Sequence, residues 1–229
     1  MVVYNELIAI TAGAGLLGFA KFLSHLIRKE RISSEGWAAF FGVTGLLLFV
    51  LGLHTTVTWP YGGEGFEYAN LAFGQPAAGF GALLLGATVY LWRHRSIYDG
   101  DVDAANARTL ESLKPTGIFV GVLGLGMAVL AVSFVRYQLG AAPPEEPITG
   151  RFGHLPLLEA LFLGGLWGIV AAGALFFAVA LWTNRPGLLR WAVWAWAIGG
   201  LAFALFGAMN YYTHIGMYYN IAHGTMIKW

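Results

Sequence analysis

The sequence predicts an all-α integral membrane protein, a bundle of six transmembrane helices with both termini on the non-cytoplasmic side. Hydrophobic residues make up 58% of the chain and charged residues only 11%, whereas a soluble domain has about 25% charged residues. The mean hydropathy is +0.65, and several apolar runs exceed the ~18 residues that cross hydrocarbon as a helix. A single membrane domain over residues 1–229 is therefore expected.

The first three helices are expected at about 7–27, 36–53 and 76–92. A negative side chain is favourable in the first turn of a helix, which suits Glu35 at the start of the second. Proline fits the first turn as well, because the amides there have no partner within the helix, and Pro76 lies at that position of the third.

The last three helices are expected at about 116–135, 157–182 and 188–212. The polar residues 96–114 are interpreted as a solvated loop followed by a short amphipathic helix, and Pro115 is expected to open the fourth span. The segments that remain are two outer loops, 54–75 and 138–156, and an outer tail, 213–229.

Lysine and arginine are divided unequally between the two sides of this topology. One side holds Lys21, Arg28, Lys29, Arg31, Arg93, Arg95, Arg108, Lys114, Arg185 and Arg190, and the other holds Arg136, Arg151 and Lys228. Cytoplasmic segments of membrane proteins are the basic ones. We therefore expect a multi-pass protein of the cell (cytoplasmic) membrane, with both termini outside the cytoplasm.

Several function classes are excluded or disfavoured by composition. The chain has no cysteine, which excludes disulfides, thiolate metal sites, iron–sulfur clusters and thiol catalysis. No nucleic-acid motif occurs, so the expected partners are membrane lipids and other copies or subunits in the membrane. Ionisable residues are scarce at mid-membrane depth, which disfavours a small-solute transporter.

Four polar side chains lie at the outer ends of three helices and form a candidate metal site. His54 ends the second helix, Glu159 lies in the first turn of the fifth, and Asn210 and His214, four residues apart, share a face of the sixth. Imidazole and carboxylate ligands suit one transition metal ion: copper, zinc or iron. Interfacial or helix-capping roles explain the same residues and stay open as the alternative.

Haem is not expected. His25 and His94 lie at the cytoplasmic boundary on the first and third helices, where two histidines could hold haem between helices. Their basic neighbours Arg28, Arg93 and Arg95 suit contact with lipid headgroups better.

Four short motifs carry a family resemblance. They are Tyr4-Asn5 with Ala12–Gly15, Glu35–Ala38, Gly52–Pro60 containing His54 and Trp59, and Asn70 with Phe73-Gly74-Gln75-Pro76. With these motifs the chain resembles the bacterial and archaeal membrane proteins grouped as domain of unknown function 981. The resemblance implies a membrane fold and no established activity. Gln75 stands where an acidic residue is expected in many members of the family. If that acidic residue were a ligand, the site in this chain would be altered.

The sequence favours a non-catalytic subunit of a larger membrane complex, because no recognisable catalytic set is present. Glycines recur within the spans, and small residues let helices pack closely; packing within the bundle is favoured over a dimer face. The alternative is a metal-binding, oxidoreductase-like membrane protein that uses the outer-face site. Whether the chain is an enzyme is left open.

Overall fold

The computed structural model describes residues 4–58 and 68–228, and these residues are all-helical where they are regular. The long helices are α1 (Asn5–Arg28), α2 (Ser34–Thr58), α3 (Gln75–Arg93), α4 (Val102–Tyr137), α5 (Pro156–Thr183) and α6 (Pro186–His223). A π-helical turn, Asn70–Gly74, leads into α3, and short 3-10 turns lie at Arg95–Asp99 and Thr149–Arg151.

All six long helices, the third together with the π-helical turn before it, are long and apolar enough to cross a membrane. This confirms the all-α class within the described residues and is what a multi-pass membrane protein requires. α1 begins and α6 ends at the same end of the bundle, where His214 contacts Glu6. We call this the acidic end, after Glu6, Glu146 and Glu159. The opposite end, which carries Lys29 and Arg93, is called the basic end. Which end faces the cytoplasm stays a prediction.

Two helices end well beyond their predicted C-terminal ends. α6 continues to His223, so residues 213–223 of the predicted tail are helical, whereas α2 extends to Thr58 into the predicted 54–75 loop. Residues 59–67 of that loop lie outside the described residues.

The fourth helix starts well before the proline that was expected to open it. α4 begins at Val102, and Pro115 lies inside it. The side chain of Asp101 caps the helix by accepting from the Asp103 amide at 2.8 Å, as N-cap carboxylates do. Proline removes one backbone hydrogen bond but is tolerated inside membrane helices. The predicted amphipathic helix and the fourth span are therefore one element.

Glycines bring the helices together within the chain, as predicted. A Cβ added at Gly13 of α1 would lie 2.5 Å from the Ala204 amide nitrogen of α6, and one at Gly81 of α3 would lie 2.8 Å from the Gly45 carbonyl of α2. At Gly124 of α4 it would meet the α5 side chain of Ala174 at 2.8 Å. These are close approaches that a larger residue would prevent.

The packing leaves one side of the bundle loosely closed. α2 packs on α3, α1 on α6 and α4 on α5, and α5 joins α6, whereas α3 and α4 hardly approach each other. At the basic end the Tyr90 hydroxyl of α3 donates to Ser112 Oγ of α4 at 3.1 Å. We call the gap between α3 and α4 the seam.

Candidate functional site

A cavity of about 980 Å³ lies between α1, α3, α4, α5 and α6. Ile8 and Phe22 of α1 both line it, and a helix rises ~1.5 Å per residue, so the cavity is about 20 Å long. Its volume is at the upper end of the roughly 300–1,000 Å³ found for small-molecule sites. The cavity is therefore long enough to extend through much of the membrane domain.

Aromatic side chains from three helices form the wall of the cavity. The ring of Phe19 lies 5.8 Å from that of Phe177 and 5.3 Å from that of Trp196, and all three residues line the cavity. The indole nitrogen of Trp196 donates to the Val170 carbonyl at 3.2 Å. This bond satisfies the polar atom of the indole, so the ring presents an apolar surface.

Part of the cavity wall is exposed at the seam. Ala82 and Gly86 of α3 line the cavity and are exposed. Phe119 of α4 also lines it and is 50% exposed. Residues that both line a cavity and lie on the surface mark an opening, and the opening at the seam faces sideways, where lipid tails surround a membrane bundle. Phe162 of α5 and Ile221 of α6 also line the cavity and are exposed.

A histidine joins two buried carboxylates at the acidic end. His214 Nδ1 of α6 donates to Glu6 of α1, and its Nε2 lies 3.6 Å from Glu146 Oε1 in the connection between α4 and α5. Glu6 is 6% exposed and Glu146 is 8% exposed. Glu146 also accepts from the hydroxyl of Thr149. One imidazole therefore links three separate parts of the chain.

Two further oxygen atoms at this end are buried without a hydrogen-bond partner in the described part of the chain. Glu159 Oε2 accepts from the Ala142 amide at 2.5 Å, but Oε1 of the same carboxylate has no partner. Asn5 Oδ1 is also without one, and both residues line the cavity. Buried polar atoms are nearly always paired, so these two acceptors are exceptions.

The connection over residues 138–155, which we call the loop, lies at the acidic end and is held by α6 and by Lys228 after it. The side-chain nitrogen of Asn220 donates to the Glu145 carbonyl at 2.8 Å and to the Ile227 carbonyl at 3.0 Å. Its oxygen accepts from the Ile227 amide at 3.0 Å and from Thr225 Oγ at 2.9 Å. Lys228 donates to the carbonyls of Pro144 and Glu146.

Three of the four predicted metal ligands line the cavity. Glu159, Asn210 and His214 all line the cavity, whereas His54 is exposed and its Nδ1 hydrogen-bonds with the Tyr4 hydroxyl. Across residues 4–58 and 68–228, no group of three His, Asp or Glu side chains is placed to hold a metal ion. The four-residue metal site stays a prediction, and the geometry supports a grouping around His214 instead.

The basic end holds contacts that fix the start of α4. Lys29 Nζ lies 2.7 Å from Asp103 Oδ2, and this hydrogen bond raises the pKa of Lys29. Burial raises the pKa of Tyr98 to about 12, so its hydroxyl stays neutral and shares a 2.7 Å hydrogen bond with Thr109. His94, considered above for haem, donates from Nδ1 to the Tyr90 carbonyl at 2.9 Å.

Sequence reasoning missed Asn5, Glu6 and Glu146. A charge in the first turn of an apolar span is a signal that could have identified Glu6, because ionisable residues near a membrane span need a partner. Glu146 lies in a proline-rich stretch whose course the sequence does not determine.

Comparison with known proteins identifies a family for this chain but no activity. The family model described as Protein of unknown function (DUF981) matches residues 1–217. Neither the curated proteins nor the solved structures contain a match to the chain.

Proposed function

We propose that this chain, which belongs to the DUF981 family of proteins of unknown function, binds one amphipathic, lipid-like molecule between its helices. The observation that carries the proposal is the long apolar cavity with polar groups at its acidic end and exposed lining at the seam. An apolar pocket with a few convergent polar groups is the default binding site of a protein.

The position of the opening favours a molecule that already resides in the membrane. A chain-bearing molecule can enter through the seam, past Gly86 and Phe119, without crossing water. Lipid tails are as apolar as leucine, so transfer of a tail from bilayer to cavity contributes little free energy. Affinity and selectivity then depend on the polar residues at the acidic end, among them Glu159 and His214.

Replacing Gly86 by phenylalanine tests the proposal. A Cβ at Gly86 has no atom within 4 Å, so the substitution leaves the helix packing intact and places a ring in the mouth of the cavity. We expect wild-type protein purified in mild detergent to carry one lipid-like molecule per chain, and Gly86→Phe to reduce that occupancy roughly tenfold, since overpacking costs about 1–3 kcal/mol. Native mass spectrometry with analysis of the extracted organic molecules measures it.

Gly126→Phe is the matched control. Gly126 is an exposed glycine of α4 with no atom within 4 Å of an added Cβ, and it does not line the cavity. This variant should keep wild-type occupancy. A wild-type protein without a bound molecule, or equal occupancy in both phenylalanine variants, would contradict the proposal.

A second candidate is the non-catalytic subunit of a larger membrane complex, in which a helix of a partner covers the seam. The exposed, loosely packed faces of α3 and α4 favour it. Because the chain has no cysteine, Gly86→Cys provides a unique thiol for a photoreactive crosslinker in native membranes. A stoichiometric protein adduct would support the subunit, and an adduct with lipid alone would support the lipid-binding protein.

A further inference from the structure

The acidic end of the cavity has the chemistry to select one class of head group. Resting on the lipid-binding function proposed above, we infer that the bound molecule carries a cationic, hydrogen-bond-donating head group, an ammonium, beside Glu159. The apolar chain of the molecule would then lie along α1 toward Phe22 and the basic end.

The charges of the cavity wall exclude an anionic head group. Among the described residues that line the cavity, the acidic and basic side chains are Glu146, Glu159 and His214, and none is lysine or arginine. A phosphate or carboxylate placed there would face two carboxylates without a permanent cation to receive it. Like charges in a site of low dielectric repel strongly.

The partners of these groups leave a negative charge uncompensated. His214 is engaged with both Glu6 and Glu146. Lys228 bonds to backbone carbonyls and does not line the cavity. Within the described residues Glu159 therefore has one backbone amide and no cation, and a buried charge without a partner is destabilising. A ligand cation supplies what the protein does not.

The unpaired atoms match the donors of an ammonium group. Glu159 Oε1 and Asn5 Oδ1 are both acceptors, both buried and both without a partner in the described structure. An alkylammonium group has three donors and no acceptor, so it suits a site whose unpaired atoms are acceptors. A hydroxyl has a single donor, and a carboxylate has none.

The test compares three probes that have the same length of hydrocarbon chain and differ in the head group: hexadecylamine, hexadecanol and hexadecanoic acid. Each probe is titrated into the full-length protein in a neutral detergent. The readout is displacement of a photoreactive hexadecylamine from the protein. We expect the amine to bind roughly tenfold to a hundredfold more tightly than the alcohol, since hydrogen bonds to charged groups are the stronger ones. The acid should bind most weakly.

Glu159→Gln should reduce the preference for the amine over the alcohol by a similar factor and leave binding of the alcohol unchanged. The glutamine oxygen can still accept from the Ala142 amide, so the loop stays anchored. Glu145→Gln is the matched control, because it removes one charge from the same end of the bundle at a residue that does not line the cavity. Its preference for the amine should equal that of the wild type.

The outcomes separate the two proposals. If all three probes bind equally and Gly86→Phe blocks their binding, the cavity recognises only the hydrocarbon chain of the probe. The ammonium inference is then wrong. Tightest binding by the acid, or an unchanged preference in Glu159→Gln, also overturns it. If none of the probes binds, the lipid-binding function itself is wrong.

Discussion

Gly81→Leu is expected to separate α2 from α3 and to lower the free energy of unfolding by about 3 kcal/mol. A Cβ at Gly81 would meet only backbone atoms at the closest distances, among them the Gly45 carbonyl and the Cα of Phe49, both at 2.8 Å. Backbone atoms cannot move aside by changing a rotamer. The change therefore belongs at the upper end of the ~1–3 kcal/mol that overpacking costs. Thermal unfolding of the protein in detergent, followed by circular dichroism, measures the loss.

Gly165→Leu provides the comparison. Gly165 lies in α5, is exposed, and has no atom within 4 Å of an added Cβ. The same substitution there should leave the unfolding temperature close to that of the wild type. Equal stability of the two leucine variants would show that the close approach of α2 and α3 is not needed for the fold.

Asn220→Ala is expected to detach the loop together with the residues after α6. Asn220 is 1% exposed and makes four hydrogen bonds: one reaches the loop at the Glu145 carbonyl, and three hold Thr225 and Ile227, next to the Lys228 that also bonds to the loop. Each bond contributes about 1 kcal/mol, and each buried group left without a partner costs a similar amount or more, so a local loss of ~3 kcal/mol is reasonable. Limited proteolysis within 138–155 should then accelerate roughly a hundredfold, because cleavage follows the population of the open loop.

His223→Ala is the control for this second prediction. His223 ends the same helix and is exposed, and its Nδ1 donates to the Tyr219 carbonyl within α6. Its removal should leave the rate of cleavage in the loop unchanged. If Asn220→Ala is cleaved no faster than His223→Ala, the hydrogen bonds of Asn220 do not hold the loop.

The fold class followed from the sequence because it rests on composition and on the lengths of apolar runs. The helix ends did not follow from either. A proline usually opens a helix, but Pro115 lies inside α4, where the amphipathic stretch from Val102 continues directly into the span. The aromatic residues after Tyr212 indicated the interface between membrane and water. The local sequence there did not show that α6 continues to His223.

The candidate site was predicted in part. Glu159, Asn210 and His214 were selected as metal ligands because they lie at one level of the predicted spans, and all three line the cavity. It could not determine the direction of His54, which faces Tyr4. The cavity itself depends on α3 and α4 failing to pack closely, and hydrophobic periodicity carries no information about which helices become neighbours.

The pairing of α1 with α6 sets the order in which this molecule can be made. Glu6 and His214 are separated by 208 residues, and contacts between distant parts of a chain form late and slowly. During synthesis the close approach of α1 at Gly13 can form only when α6 has entered the bilayer. Since both helices contribute walls to the cavity, the cavity is complete only from that moment. α1 is therefore made long before the helix that completes its packing.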